Sequence, residues 1–516
     1  MTIAPEGTAP PTASSASADA PSAPLSPRGK RVRLALHPGW IVILACGAFL
    51  ARTTIRSGLN TDVFWQLAAG RWMLAHHAVI RSDVFSYTIH GRPWLAEEWG
   101  FEVLLAWMVQ HVGPVSYWLL SGGVSIAALL VSAARWHRQG AGRLWSGALA
   151  ILVTASLFLG LAARPQDLSY LFFAVELLVL TVARQHRRLL VILPVLLVIW
   201  ANVHGSFLAG LCVLGLEAAL ATLGALRERP SDPARDRARP SPAPVQLGAP
   251  LALRDAAGTF LLCALATLAN PHGPHLLTYA FRVSVSSRLT HLIAEWQSPD
   301  FHDPVIAVAI VVPMLIAVLG LSTGRVRSNL FDLVLWLAFL VATLHSIRFV
   351  PYLGIAFGGL VAPWWPQSRE TLQPTRLTWP ASALVCLALV AGTHLPAGAP
   401  QRSGALAAPV AAATFLRAQT GRVFSTYTWN DYLISRQIPV FVDGRTDLYF
   451  GTGILTTYVR VSTLAQPPDP VLSRWHVRWV LWPDHSALST YLARDPRWRL
   501  VRRFRVGELF ELRATS

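Results

Sequence analysis

Charge is what this 516-residue sequence has least of: 14% of its residues are Asp, Glu, Lys or Arg, against roughly 25% in an ordinary soluble domain. With 53% hydrophobic residues and a mean hydropathy of +0.44, the chain carries more apolar surface than one core of that size can hide from water. A soluble enzyme, a disordered scaffold and a fibrous protein are excluded, and a polytopic membrane protein remains. Cysteine is scarce. Cys46, Cys212, Cys263 and Cys386 all lie inside apolar runs, which excludes a disulfide framework and a cysteine-based zinc site. Lys30 is the only lysine, so the net charge of +17 is almost all arginine. Much of that arginine sits in short segments between apolar runs, a pattern of membrane topology and not of nucleic-acid binding. A glycine-rich dinucleotide fingerprint, a P-loop, a metal-spaced His/Cys cluster and a solenoid period are all missing.

The apolar runs organise the rest. Residues 1–37 are rich in Ala, Pro, Ser and Thr and carry the basic cluster Arg28, Lys30, Arg31 and Arg33, which reads as a disordered cytoplasmic tail. About eleven apolar stretches follow, each near the ~20 residues that a bilayer requires: 39–54, 114–134, 144–163, 166–183, 189–204, 205–226, 255–270, 304–322, 329–347, 349–365 and 379–397. They make a membrane domain over 38–398, interrupted by a Pro/Arg-rich cytoplasmic linker at 227–254. With the N-terminus inside, the clusters Arg135–Arg143, Arg184–Arg188 and Arg325–Arg327 also fall inside, in accord with the positive-inside rule. This topology puts residues 399–516 outside. The run 98–112 is apolar, but a full crossing there would move Arg135–Arg143 to the outer side. It is expected to lie in the outer interface, within one long outer loop, 55–113.

The tail alternates strand-like runs (Arg422–Tyr427, Pro439–Asp443, Arg478–Trp482, 498–505, 508–512) with helical ones (Asn430–Arg436, Ile454–Leu464, Ser486–Ala493). The expected fold is therefore an all-α polytopic membrane core of about eleven transmembrane helices plus a C-terminal α/β extracytoplasmic domain.

Carboxylates, imidazoles and guanidiniums collect on the outer face, while the inner face holds mostly arginine. Asp62 opens a helix whose apolar face (Phe64, Trp65, Leu67, Ala68, Trp72) would let it lie on the bilayer. It is either the helix N-cap or an ionised general base. Glu97 and Glu98 are either solvated charges beside tryptophans or substrate ligands. Arg348 is either a headgroup contact at a helix end or a bidentate phosphate clamp, and Arg164 either a partner of Asp167 or a helper to that clamp, as are Arg282 and His204. The segments Trp200–Ser206 and Asn270–His275 break two apolar runs on the outer side, which is tolerated where they line a cavity. Glu176 and Glu217 lie near mid-span, where a carboxylate is a functional candidate or a packing contact. Asp443, Arg445 and Asp447 either bind carbohydrate or knit their own turn together.

The runs DVFWQLAAGRWM and RSDVFSYTIHGRPWLAEEW in the first outer loop, with WANVHGSFLAGL (200–211), ANPHGPHLLTYAF (269–281), AEWQSPDF (294–301), SIRFVPYLGI (346–355), VFSTYTWNDYLI (423–434) and VFVDGRTDLY (440–449), resemble a bacterial family of GT-C-type glycosyltransferases. That family is similar to lipopolysaccharide-core glycosyltransferases and to protein mannosyltransferases. The likeness runs over nearly the whole chain beyond residue ~38. It implies a multi-pass inner-membrane protein with a cytoplasmic N-terminus. It also implies inverting transfer of a sugar from a lipid-linked, polyprenyl-phosphate donor to an envelope glycan, lipid or protein acceptor, with Asp62 in the position of the loop-one acid. The family pairs two adjacent acids there, where this chain has Val63, so the divalent cation that the resemblance allows is left open. A glycan polymerase or ligase, a non-catalytic scaffold and, third, a transporter using Glu176 and Glu217 are the alternatives.

Overall fold

The structure, a computed structural model, describes residues 37–56, 60–227, 250–285, 294–323, 329–366 and 408–513. The expected span 379–397 lies outside the described residues, as do nearly all of 1–37 and most of the linker 227–254. The helices before the tail are α1 (Pro38–Arg56), α2 (Asp62–His76), α3 (Trp99–His111), α4 (Val115–Arg138), α5 (Arg143–Gly160), α6 (Pro165–Ala183), α7 (Ile192–Val203), α8 (Phe207–Arg227), α9 (Leu253–Ala266), α10 (His275–Val285), α11 (Pro304–Ser322), α12 (Leu330–His345) and α13 (Val350–Val361).

Six helical stretches among the described residues are long and apolar enough to cross a membrane, namely α4, α5, α6, α8, α11 and the extended stretch Ile347–Trp364 around α13. Pro38–Thr54 and α12 are apolar but shorter. The expected count of eleven is not reached among the described residues, and the reason is local. Helix α7 has 12 residues and α9 has 14, about 18 and 21 Å at 1.5 Å per residue, against a hydrocarbon thickness of ~30 Å. The polar breaks at Asn202–Ser206 and Asn270–His275 cut both runs short. The run 98–112 becomes α3, whose 13 residues are likewise too few to cross.

The membrane core gathers around α13, every residue of which is buried, together with Trp136, Phe173 and Trp200. Glycine matters at Gly359, where an added Cβ would lie 1.8 Å from the Arg135 guanidinium. That arginine is buried and ion-paired to Asp332, and its Nε donates to Thr181 Oγ1 at 3.0 Å, so α4, α6 and α12 are tied at one end. Glu217 is likewise spent on structure. It pairs with Arg184 at 3.0 Å and accepts the Leu251 N–H at 2.7 Å.

The tail contributes α14 (Val410–Arg417), β1 (Arg422–Ser425), α15 (Tyr427–Ser435), α16 (Ile454–Ser462), α17 (Pro468–Arg474), β2 (Val477–Trp482), α18 (Ala487–Arg494), β3 (Trp498–Phe504) and β4 (Gly507–Leu512). The sheet order is β1-β2-β4-β3, with β1 parallel to β2 and the other pairs antiparallel. The expected strand Pro439–Asp443 does not join this sheet. Pro439 has no N–H to donate, and Val440 instead exchanges backbone hydrogen bonds with Phe85 and Tyr87 of the first loop, at 3.3 and 3.0 Å.

The first loop is built into the tail. Trp65, Ala69, Met73 and Trp94 share one apolar cluster with Phe424, Phe441 and Trp482. The expectation that α2 lies open on the bilayer is therefore corrected. Its other side, Val63 and Leu67, packs with Phe101 and Leu105 of α3, and at Gly70 an added Cβ would lie 1.9 Å from the Glu102 carbonyl. Both faces of α2 carry apolar residues, so it is buried between two partners.

Candidate functional site

Four breaks in helical structure meet at one end of the bundle. Asp62 is the first residue of α2, with Thr61 as the N-cap, so it is not the cap itself but sits where the helix dipole favours an anion. Its carboxylate lies 2.7 Å from Arg164 Nη2. Arg164 stands in the turn between α5 and α6 and also pairs with Glu295. The Arg164–Asp167 pairing weighed above does not form. Asp167 accepts the N–H groups of Ala162 and Ala163, at 3.4 and 3.1 Å. Ala163 takes a left-handed backbone, φ 54°, which only a well-supported turn tolerates in a residue with a Cβ. Asp167 thereby aims Arg164 without touching its guanidinium.

Glu98 is the N-cap residue of α3. Its Oε2 accepts from Gln66 Nε2 at 2.9 Å, and its Oε1 lies 3.8 Å from His204 Nε2. His204 terminates α7, and its Nδ1 shares hydrogen bonds with Ser206 Oγ (2.6 Å) and Ser169 Oγ (3.1 Å). Both expected breaks reach the first loop, since Trp99 donates to Asn202 at 2.9 Å and His272 Nε2 lies 3.2 Å from the Ala96 carbonyl. Arg348 follows the C-terminus of α12. Its guanidinium lies over the Trp296 ring, 4.2 Å from the centroid, and has no ion pair among the described residues.

Asp62, Glu97, Glu98, Arg164, His204 and Arg348 thus line one pocket of about 160 Å³, beside Glu295 and Asp447. Arg282 does not reach it. That arginine is exposed on α10 and lines a neighbouring cleft. Sequence reading missed Glu295 and Gln66 as members. Glu295 stands in the AEWQSPDF run, but its partner lies 131 positions away and no local pattern signals that.

The tail closes the pocket through a buried charge network. Arg445 bonds Asp443 through Nε (2.8 Å) and Nη2 (2.7 Å), and its Nη2 reaches Asp83 of the first loop at 2.6 Å. Its guanidinium is flanked by Trp94 and Phe85, at 4.6 and 5.0 Å. Of the two readings of the 443–447 turn, Asp443 and Arg445 knit the structure, whereas Asp447 faces the pocket and accepts from Tyr279 Oη at 2.7 Å.

Burial dominates the electrostatics. It raises the Asp62 carboxyl, with Arg164 pulling it back. It raises Glu97 well above the usual carboxylate range, reinforced by Glu98 and Asp447, and pushes Glu98 up to about 7. Glu295 is only half-buried; Arg164 and Arg348 outweigh its partial desolvation and hold it low. A prediction follows for Glu98. Its folded pKa exceeds the unfolded value of 4.5, so the folded chain binds the extra proton and its stability falls as pH rises from 4.5 to 7. Glu98→Gln removes that penalty. Its melting temperature is expected to exceed the parent's by about 1–3 °C at pH 8 and to match it at pH 4.5. An equal shift at both pH values would contradict the assignment.

Among the described residues no three His, Cys, Asp or Glu side chains converge to hold a metal ion. The positive charge facing Asp62 is the Arg164 guanidinium. The pocket's donor set therefore does not fit a divalent cation, and no step below is routed through one.

Comparison with solved structures finds the archaeal oligosaccharyltransferase AglB of Archaeoglobus fulgidus. The complex of AglB with an inhibitory peptide and a dolichol-phosphate aligns over 86% of this chain and 69% of its own, with a TM-score of 0.55 and 11% identity. The form tethered to an NVT-containing acceptor peptide aligns over 86% and 68%, with a TM-score of 0.55 and 9% identity. The apo form aligns over 86% and 69%, with a TM-score of 0.53 and 10% identity. No family model matches the chain, and no curated protein does. The chain shares the fold of this archaeal oligosaccharyltransferase.

Proposed function

We propose that this protein is a membrane glycosyltransferase that moves a sugar from a polyprenyl-phosphate donor to an envelope acceptor at the extracytoplasmic face of a bacterial inner membrane. One observation carries the reading. The charged pocket is continuous with an apolar cavity of about 480 Å³, and the two share Glu97, His204 and Arg348. That volume falls within the range of ligand sites. The cavity runs between α8 and α12, and its wall includes the exposed residues Cys212 and Ala338, a lateral opening through which a lipid tail can enter from the bilayer.

A lipid phosphate seated there places its tail against Leu208, Val213 and Phe339 and its charge beside Arg348, which has a free ion-pairing face. The acceptor hydroxyl gives its proton to the Asp62 carboxylate, which Arg164 pairs with and orients. The acceptor oxygen forms the new bond to the anomeric carbon as the carbon–oxygen bond to phosphate breaks. The phosphate leaves with the electron pair, and Arg348 stabilises it with His204 nearby. This is a single displacement with inversion. Glu97 and Glu98 bind sugar hydroxyls.

The test uses the purified full chain in phosphatidylcholine nanodiscs. Undecaprenyl phosphate is expected to bind at least tenfold more tightly than undecaprenol, and Arg348→Gln is expected to erase the difference. Equal binding of phosphate and alcohol by the parent protein would overturn the donor assignment.

A further inference from the structure

The charged pocket opens in two directions. It meets a cleft of about 720 Å³, with which it shares Trp94, Leu95, Tyr279 and Asp447, and that cleft has no lining residue in common with the apolar cavity. The apolar cavity holds one arginine, Arg348. The cleft holds Arg81, Arg92 and Arg282, with His272 and His275, against a single carboxylate, Asp447. These arginines come from three places: the first loop before and after its turn, and α10. None of the three has an ion pair among the described residues, and the bonds they do make are to backbone: Arg92 to the Phe450 carbonyl at 3.1 Å and Arg282 to the Thr278 carbonyl at 3.3 Å. Asp447 is already engaged by Tyr279.

Resting on the transferase reading above, we propose that this cleft is the acceptor site and that the acceptor is an acidic saccharide, carrying carboxylate or phosphate groups. Converging cations without counter-ions are matched by anionic oxygen, and guanidinium forks bind carboxylate and phosphate in pairs of hydrogen bonds. The lining is rich in donors and poor in open acceptors. A peptide backbone would bring N–H groups with nothing to receive them, at a cost for each left unpaired. A saccharide bearing acidic groups brings mainly acceptor oxygens. An acidic residue held by Arg81, Arg92 and Arg282 leaves the neighbouring sugar past Tyr279 and Asp447, with its hydroxyl directed at Asp62. The donor tail and the acceptor chain then approach the carboxylates through separate cavities.

The experiment titrates three probes into the full chain in phosphatidylcholine nanodiscs: hexagalacturonate, the neutral maltohexaose and hexaglutamate. Hexagalacturonate is expected to bind at least tenfold more tightly than either of the others. The triple variant Arg81→Gln, Arg92→Gln, Arg282→Gln should lose that preference, while the pair Arg417→Gln, Arg436→Gln, also exposed arginines of the tail, should keep it. Equal binding of maltohexaose overturns the proposal, as does hexaglutamate matching hexagalacturonate or the control pair losing the preference as fully as the triple. Repeating the titration with 30% phosphatidylglycerol in the nanodisc tests the lipid source. A headgroup that displaces hexagalacturonate assigns the arginines to the bilayer and overturns the saccharide. Binding of undecaprenyl phosphate by the triple variant is read in parallel. Its retention as the triple variant loses the saccharide preference is the expected result; a parent protein that binds undecaprenyl phosphate but does not prefer hexagalacturonate means that the acceptor proposal alone has failed, whereas a parent that does not bind undecaprenyl phosphate is a failure of the donor reading.

Discussion

Replacing Asp62 by Asn is expected to lower sugar transfer by about 10²–10⁴-fold while undecaprenyl phosphate still binds. Asn keeps the shape of the side chain and removes only the capacity to take a proton. The rest of the pocket has reason to stay in place. Arg164 keeps Glu295 as its second partner, and α2 is held by packing on both sides. A structural role would instead show as a lower melting temperature and lost donor binding. The competing base is Glu98, whose carboxyl is pushed up to about 7 by burial, close to the pKa that a general base at neutral pH needs. Transfer assayed with undecaprenyl-phosphate-linked mannose separates the two. If Asp62→Asn retains more than about a tenth of the parent rate and Glu98→Gln does not, proton acceptance belongs to Glu98 and the assignment of Asp62 is wrong.

The second large effect is on stability. Arg445→Ala leaves Asp83 and Asp443, both fully buried, facing each other without their shared cation. Removing one member of a buried charge network typically costs about 3–5 kcal/mol, far more than the 0–1 kcal/mol of an exposed pair. Arg445→Lys keeps the charge but cannot bond Asp83 and both oxygens of Asp443 in the same plane, so it should recover only part of the loss. The network joins the first loop to the tail across 362 positions. Limited proteolysis should therefore cut 78–98 in Arg445→Ala under conditions where the parent is intact, and transfer should fall with it. A variant that melts like the parent and resists cleavage would show that the apolar contacts between loop and tail hold alone.

Much of the candidate site was legible because four of its residues interrupt an apolar context. Asp62, Arg164, His204 and Arg348 stand at the ends of apolar runs, and all those ends fall on one side once the chain is threaded back and forth. Helical periodicity and the distribution of arginine suffice for that. The tail strands around Val423, Val480, Leu500 and Phe510 were legible for a similar reason, since β-branched and aromatic residues cluster there between turn residues. Pro439–Asp443 read as a strand by composition, yet its partner turned out to be the first loop. Strand pairing is a choice among distant segments, and composition cannot name the partner.

By itself, then, the sequence determined that the chain lives in a membrane, which ends of its helices carry polar chemistry, and that an α/β tail follows. These are properties of short windows, set by the transfer of side chains out of water and by local backbone preference. Only the tertiary structure decided that Arg164 turns to Asp62 and Glu295 and not to nearby Asp167. It also decided that Arg445 is a buried staple while Arg282 belongs to a separate cleft, and that α2 is enclosed between α3 and the tail. Each depends on which charges come within about 4 Å of one another, where Coulomb attraction in a poorly solvated site outweighs solvation, and that distance is a property of the packed chain.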